Sequence, residues 1–152
     1  MSARFTASKL RLGRYSQSGQ IYLITAVTHE RNPMFGDWRV GRLLVSQLRK
    51  AQHNGSADSL AWVVMPDHFH WLMQLKEREL STVVHVVKSH AAREANAYLG
   101  RSGQFWQRGF YERAIRNQED LLPAARYIIT NPVRAGLVKR VHDYPLWDAK
   151  WL

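Results

Sequence analysis

The apolar positions of this chain fall into alternating strand-like and helix-like stretches. Ile21 to Thr28 (IYLITAVT) is dense in β-branched and aromatic residues and predicts a strand. Asp37 is placed to cap a helix in which Val40, Leu43, Leu44, Leu48 and Ala51 recur near helical spacing. Asn54-Gly55-Ser56 closes it as a loop. Leu60 to Met65 (LAWVVM) is a short apolar run suited to a buried strand, and Pro66-Asp67 makes a tight link. His68 to Leu75 then alternates: Phe69, Trp71, Met73 and Leu75 share one face, and His68, His70, Leu72 and Gln74 the other. Ser81 is expected to cap a second helix carrying Val83, Val84, Val87, Ala91 and Tyr98, with Gly100 to Gly103 ending it. Phe105 to Arg116 reads as extended. Asn117, Glu119 and Asp120 read as the cap and first turn of a third helix that stops at Asn131, before Pro132. Pro123 fits poorly inside that helix, which either starts nearer Leu122 or kinks.

This order predicts an α+β architecture, an antiparallel sheet with helices on one face and an open face left for a ligand. The 152 residues suit a single domain, 1–152, with a polar, basic N-terminal arm over 1–20 and a C-terminal tail over 139–152. No apolar run approaches the roughly 20 residues of a membrane span, and Met1 to Lys9 lacks the apolar stretch of a signal peptide. The expected location is therefore cytoplasmic, with no membrane partner. The chain has no cysteine, which excludes disulfides and thiolate metal sites. Its net charge of +10 makes a polyanion the natural partner, and nucleic acid in particular.

Candidate chemistry sits on two elements. His68 and His70 are two apart on a strand, so both imidazoles project from one face and can chelate one metal. Imidazole suits manganese better than magnesium. Tyr127 and Asn131 lie four apart on the third helix and face the same way, able to approach one metal-bound phosphate. Tyr127 is an ordinary helix aromatic on its own, and Asn131 a helix stop. In the arm, Arg4, Arg11 and Arg14 offer guanidinium forks, Lys9 an ammonium and Tyr15 a stacking ring for unpaired bases. Tyr111 and Tyr98 read as packing residues. His29, His53, His85, His90 and His142 have no partner at chelating spacing.

Met65-Pro66-Asp67-His68-Phe69-His70-Trp71-Leu72 resembles the histidine–hydrophobic–histidine (HUH) motif of single-tyrosine transposases. WQRGFYERAIRN (106–117), followed by Tyr127-Ile128-Ile129-Thr130-Asn131-Pro132-Val133-Arg134-Ala135-Gly136-Leu137-Val138, looks like the REP-associated tyrosine transposases. The resemblance runs from about Gly13 to Trp147. It implies a ferredoxin-like HUH fold with the site on the sheet's open face, and a divalent metal, Mn2+ or Mg2+, on His68 and His70 with Asn131 at the position of a third ligand. It also implies Tyr127 as the nucleophile that leaves a 5′-phosphotyrosine and a free 3′-hydroxyl. The implied substrate is single-stranded or hairpin DNA of the REP type, in the nucleoid. Relatives often carry histidine where this chain has Arg113, so Arg113 is given no catalytic role. Two other readings stay open: a non-catalytic nucleic-acid-binding protein on the same fold, and a metal-dependent phosphoesterase in which water attacks. Monomer and dimer are both compatible with the sequence.

Overall fold

The computed structural model describes residues 4–6 and 19–150. Ten elements build it: β1 (Arg4–Thr6), β2 (Ile21–Val27), α1 (Trp38–His53), β3 (Ala57–Met65), β4 (His68–Leu75), α2 (Leu80–Leu99), β5 (Phe110–Ile115), α3 (Leu121–Ile129), α4 (Asn131–Arg134) and β6 (Trp147–Ala149). The strands form one antiparallel sheet in the order β1-β5-β2-β4-β3-β6. β4, the strand that carries His68 and His70, therefore lies inside the sheet.

The alternation along β4 divides its residues between two cores. Phe69, Trp71, Met73 and Leu75 join Tyr22, Ile24 and Ala26 of β2 under the long helices α1 and α2, through Val40, Leu44, Leu48, Leu80, Val84 and Val87. Leu72 joins Leu23 of β2 and Ala61 and Val63 of β3 on the opposite face, where Ala124, Ala125 and Ile128 of α3 pack. Small alanines let α3 approach the sheet closely, and fully buried Ile128 adds about 1.5–3 kcal/mol of apolar burial. The fold is the expected α+β arrangement of sheet and packed helices. Its second face is not wholly open, because α3 covers part of it.

Several boundaries differ from expectation. Asp37 caps α1, its carboxylate accepting from the Arg39 amide at 3.0 Å. Ser81 caps nothing: α2 begins one residue earlier, at Leu80, with Glu79 at the cap position and no side-chain cap bond. Gly100 ends α2 in the left-handed region at φ 65°, a conformation glycine adopts without steric cost. Gln118–Asp120 form a 3-10 turn and α3 starts at Leu121, which puts Pro123 in the first turn, where its missing N–H costs no helical bond. The chain does not stop turning at Asn131. Thr130 keeps right-handed helical angles, and α4 resumes at Asn131, with Pro132 in its first turn. Parts of both terminal segments join the sheet: Arg4–Thr6 pairs with β5, and Trp147–Ala149 pairs with β3. Among the described residues no helix is long and apolar enough to cross a membrane.

Candidate active site

β-Sheet register decides who neighbours the two histidines. Thr25 of β2 lies directly opposite His70 of β4, the geometry in which cross-strand side chains meet. The Thr25 Oγ1 stands 2.7 Å from His70 Nδ1. His68 Nδ1 stands 2.7 Å from Asp67 Oδ1, and the other Asp67 oxygen accepts from Arg31 at 2.9 Å. Both Nδ1 atoms are thus engaged by oxygen partners, which leaves the two Nε2 atoms for a ligand. An oxygen partner on the far ring nitrogen fixes the tautomer and ring orientation of a metal-binding histidine. The imidazole rings lie 5.0 Å apart, centroid to centroid.

Burial and neighbouring charges set the charge states of His70 and Asp67. Burial, and then the charges of His68 and Arg134, push His70 down to about 3, so its ring is neutral near pH 7. Burial pushes the Asp67 carboxyl up, but hydrogen bonds from His68 and Arg31 and their positive charges outweigh it and hold the group below the usual carboxylate range.

α3 brings the phenol to this corner. The Tyr127 ring centroid is 5.6 Å from that of His70, and the side chain is 48% exposed, so it is not the packing residue its apolar surroundings in sequence would suggest. Arg134 of α4 folds back over it. The guanidinium carbon lies 4.3 Å from the Tyr127 ring centroid, Nη2 donates to the Tyr127 carbonyl at 2.8 Å, and Nη1 donates to the Thr130 hydroxyl. A cavity of about 550 Å³ adjoins the site, and Thr25, His70, Tyr111, Arg113, Asp120 and Tyr127 are among its lining residues.

Of the expected site residues, His68, His70 and Tyr127 come together. Asn131 is half-buried at the start of α4, its carbonyl accepting from Ala135 at 2.9 Å, and it is not among the residues lining the cavity. Arg4 is in β1, opposite Glu112 of β5; Lys9, Arg11, Arg14 and Tyr15 lie outside the described residues. Tyr111, expected to pack in the core, lines the cavity instead, as does Arg113. Their spacing of two on an extended segment was a sequence signal that they share a face; the β2–β5 register sets them opposite Thr25 and Leu23. Thr25, Asp67 and Arg134 were missed. Among the described residues no group of three His, Cys, Asp or Glu side chains forms a metal-holding cluster. The two free Nε2 atoms, each backed by an oxygen on the other ring nitrogen, nonetheless fit a divalent ion that takes further donors from substrate or solvent.

The family model for IS200-like transposases matches residues 16–131, well over half of the chain. The chain belongs to the IS200-like transposase family. This is a catalytic family, and the chain's relatives within it include REP-associated tyrosine transposases. An Escherichia coli protein of that name is 37% identical over 90 residues, spanning 56% of this chain and 50% of the relative. A Haemophilus influenzae protein provisionally given the same name is 28% identical over 138 residues, 84% of this chain and 78% of the relative. The solved structure of a REP-associated tyrosine transposase bound to a REP hairpin is 28% identical and superposes with a TM-score of 0.73, over 88% of this chain and 79% of that one. A Deinococcus radiodurans structure, described as that of a transposase on provisional grounds, shares the fold at a TM-score of 0.56 and 20% identity, over 76% of this chain and 93% of that one.

Proposed function

We propose that this IS200-like transposase cleaves and rejoins single-stranded DNA at REP-type hairpins, with Tyr127 as nucleophile. The observation that supports this most directly is the meeting of His68 and His70 on β4 with Tyr127 on α3, 5.6 Å from His70 ring to ring. His68 and His70 would hold a divalent ion through Nε2, with the Asn131 amide oxygen as a third donor one helical turn after Tyr127. When bound, such an ion supplies positive charge to the scissile phosphate and the departing oxygen.

The chain's own groups do the rest. Thr25 and Asp67 fix the two imidazoles. Arg134 holds the Tyr127 ring in place and brings a cation beside the phosphate charge. The Tyr127 hydroxyl loses its proton and bonds to phosphorus. The bond from phosphorus to the 3′ oxygen breaks, and that oxygen takes up a proton. The products are a 5′-phosphotyrosine and a free 3′-hydroxyl. The reverse attack reseals the strand without ATP, because the covalent link conserves the phosphoester. Arg4, Lys9, Arg11, Arg14 and Tyr15 are proposed to contact the unpaired bases at the hairpin foot.

Incubation of the protein with a REP-type hairpin and manganese tests the reading. The wild type gives a denaturation-stable protein–DNA adduct, Tyr111→Phe keeps it, and Tyr127→Phe, His68→Ala and His70→Ala lose it while still binding DNA. An adduct that survives Tyr127→Phe moves the nucleophile elsewhere. Cleavage without an adduct means that water attacks, and binding without cleavage means a non-catalytic protein.

A further inference from the structure

On the sheet face opposite α3, α1 and α2 lie against each other, and one end of this pair carries rings and cations outside the core. Trp38, the first residue of α1, is 54% exposed, and Tyr98, in the last turn of α2, is 47% exposed. Arg39 and Arg42 place their guanidinium carbons 5.8 Å from the Trp38 ring centroid. Arg39 Nη1 also donates to the Tyr98 hydroxyl at 3.2 Å. Two helices thus contribute two exposed aromatic rings linked by guanidinium groups. Exposed rings leave apolar faces in water that a stacking ligand can cover.

The patch lies at the same end of the sheet as the candidate site. The Phe35 amide, three residues before Trp38, donates to the Pro66 carbonyl at 2.9 Å, two residues before His68. Trans peptide spacing then keeps the Trp38 and His68 Cα atoms within about 25 Å of each other. α2 follows the far end of β4 and runs back, so Tyr98 also reaches this end. Exposed Arg31 is held by Asp67, the residue before His68, and adds a further cation at this end.

We propose that Trp38, Arg39, Arg42 and Tyr98 form a second docking surface for single-stranded nucleic acid. It would hold the unpaired strand that flanks the hairpin as that strand leaves the site around the β3–β4 turn. The ligand chemistry follows from the side chains. Every base has a π-face that stacks on Trp or Tyr whatever its sequence, and arginines meet the phosphates between bases. An apolar protein partner would have no use for two guanidiniums around the central ring. The inference rests on reading the site as one that handles single-stranded DNA.

The test compares a blunt hairpin with hairpins bearing an unpaired flank of about ten nucleotides on the 5′ or the 3′ side, within the span that single-strand-binding modules cover. Wild type binds one of the flanked hairpins more tightly than the blunt one. Trp38→Ala and Tyr98→Ala each lose affinity for it by roughly five- to hundredfold, the range of one lost base stack, and keep wild-type affinity for the blunt hairpin. Both side chains are exposed, so the fold survives; unchanged circular dichroism and blunt-hairpin binding verify it. Equal losses on all substrates, or none on the flanked ones, overturn the proposal. So does a change of oligomeric state in sedimentation with flank affinity unchanged, which would make the patch a self-association surface. Adduct formation with manganese is read in the same samples. A missing wild-type adduct refutes the reading of Tyr127 as a covalent nucleophile, whereas a flank preference that vanishes in Trp38→Ala supports the patch whichever way the adduct falls.

Discussion

The Thr25 hydroxyl offers the most discriminating perturbation of the site. It lies 2.7 Å from Nδ1 of His70, a buried and neutral imidazole. A neutral ring carries one proton. For Nε2 to present its lone pair to a metal ion, that proton must sit on Nδ1 and be donated to Thr25 Oγ1. Thr25→Val replaces the hydroxyl with a methyl group of similar size. A buried N–H then has no acceptor, which costs about 1–3 kcal/mol of stability. The ring also loses its preference for the metal-ready tautomer, and loss of such a partner lowers metal affinity by about 10–100-fold. Two measurements separate these effects: urea unfolding in chelator gives the stability change, and a manganese titration followed by electron paramagnetic resonance, without DNA, gives the affinity change. Thr25→Ser restores the oxygen and should recover most of the affinity. If Thr25→Val is destabilised but titrates manganese like the wild type, the hydroxyl serves only the core and does not set the His70 tautomer.

Three other outcomes are expected. Arg134→Gln removes the cation over Tyr127 and should lower adduct yield at least tenfold while hairpin affinity falls much less, as gel quantification and equilibrium binding would register; an unchanged yield would leave Arg134 a structural clasp. Ile128→Ala opens a cavity where α3 meets the sheet, at a cost of about 2–5 kcal/mol in urea unfolding, and a cost under 1 kcal/mol would mean that α3 is held mainly by other contacts. Tyr144, whose hydroxyl donates to the Val64 carbonyl, is pushed up to about 12 by burial. Its folded value lies above the ordinary value of 10, so its stabilisation is complete below pH 10 and is lost as pH rises towards 12; Tyr144→Phe should lose less stability than the wild type between pH 9 and 12, and parallel loss would refute it.

The elements that positioned the site were largely legible in the sequence, since a period-two pattern over eight residues fixes which side chains share a face. Phe69, Trp71 and Met73 do lie in one core, and Leu72 in the other. What the pattern does not contain is register. Nothing local links Thr25 to His70, 45 residues away; only β2–β4 pairing sets them opposite each other. Arg134 was hidden for a different reason. Pro132 signals a helix stop, yet a proline in the first turn of a new helix leaves the chain turning, and that brings Arg134 back over Tyr127. Tyr98 read as packing because it follows an apolar helical stripe, but the last turn of α2 exposes it. β1 and β6, three residues each, are too short for any alternation to show.

Glu30 and Arg31 both hold left-handed backbone, at φ 55° and 53°. For residues with a Cβ this costs on the order of 1–2 kcal/mol apiece. Arg31 has a counterweight in Asp67, the carboxylate that also orients His68. Glu30 has only a contact with its neighbour His29, at 3.3 Å between a half-buried imidazole and an exposed carboxylate. The two positions therefore stand differently towards mutation in a lineage. Glycine could drift into position 30 and relieve the strain at little cost elsewhere. The same drift at position 31 would free Asp67 to turn away from its histidine, so a change that steadied the loop would loosen the orientation of His68 on which the proposed metal site depends. Selection for robustness and selection for activity are thus aligned at one residue and opposed at the next.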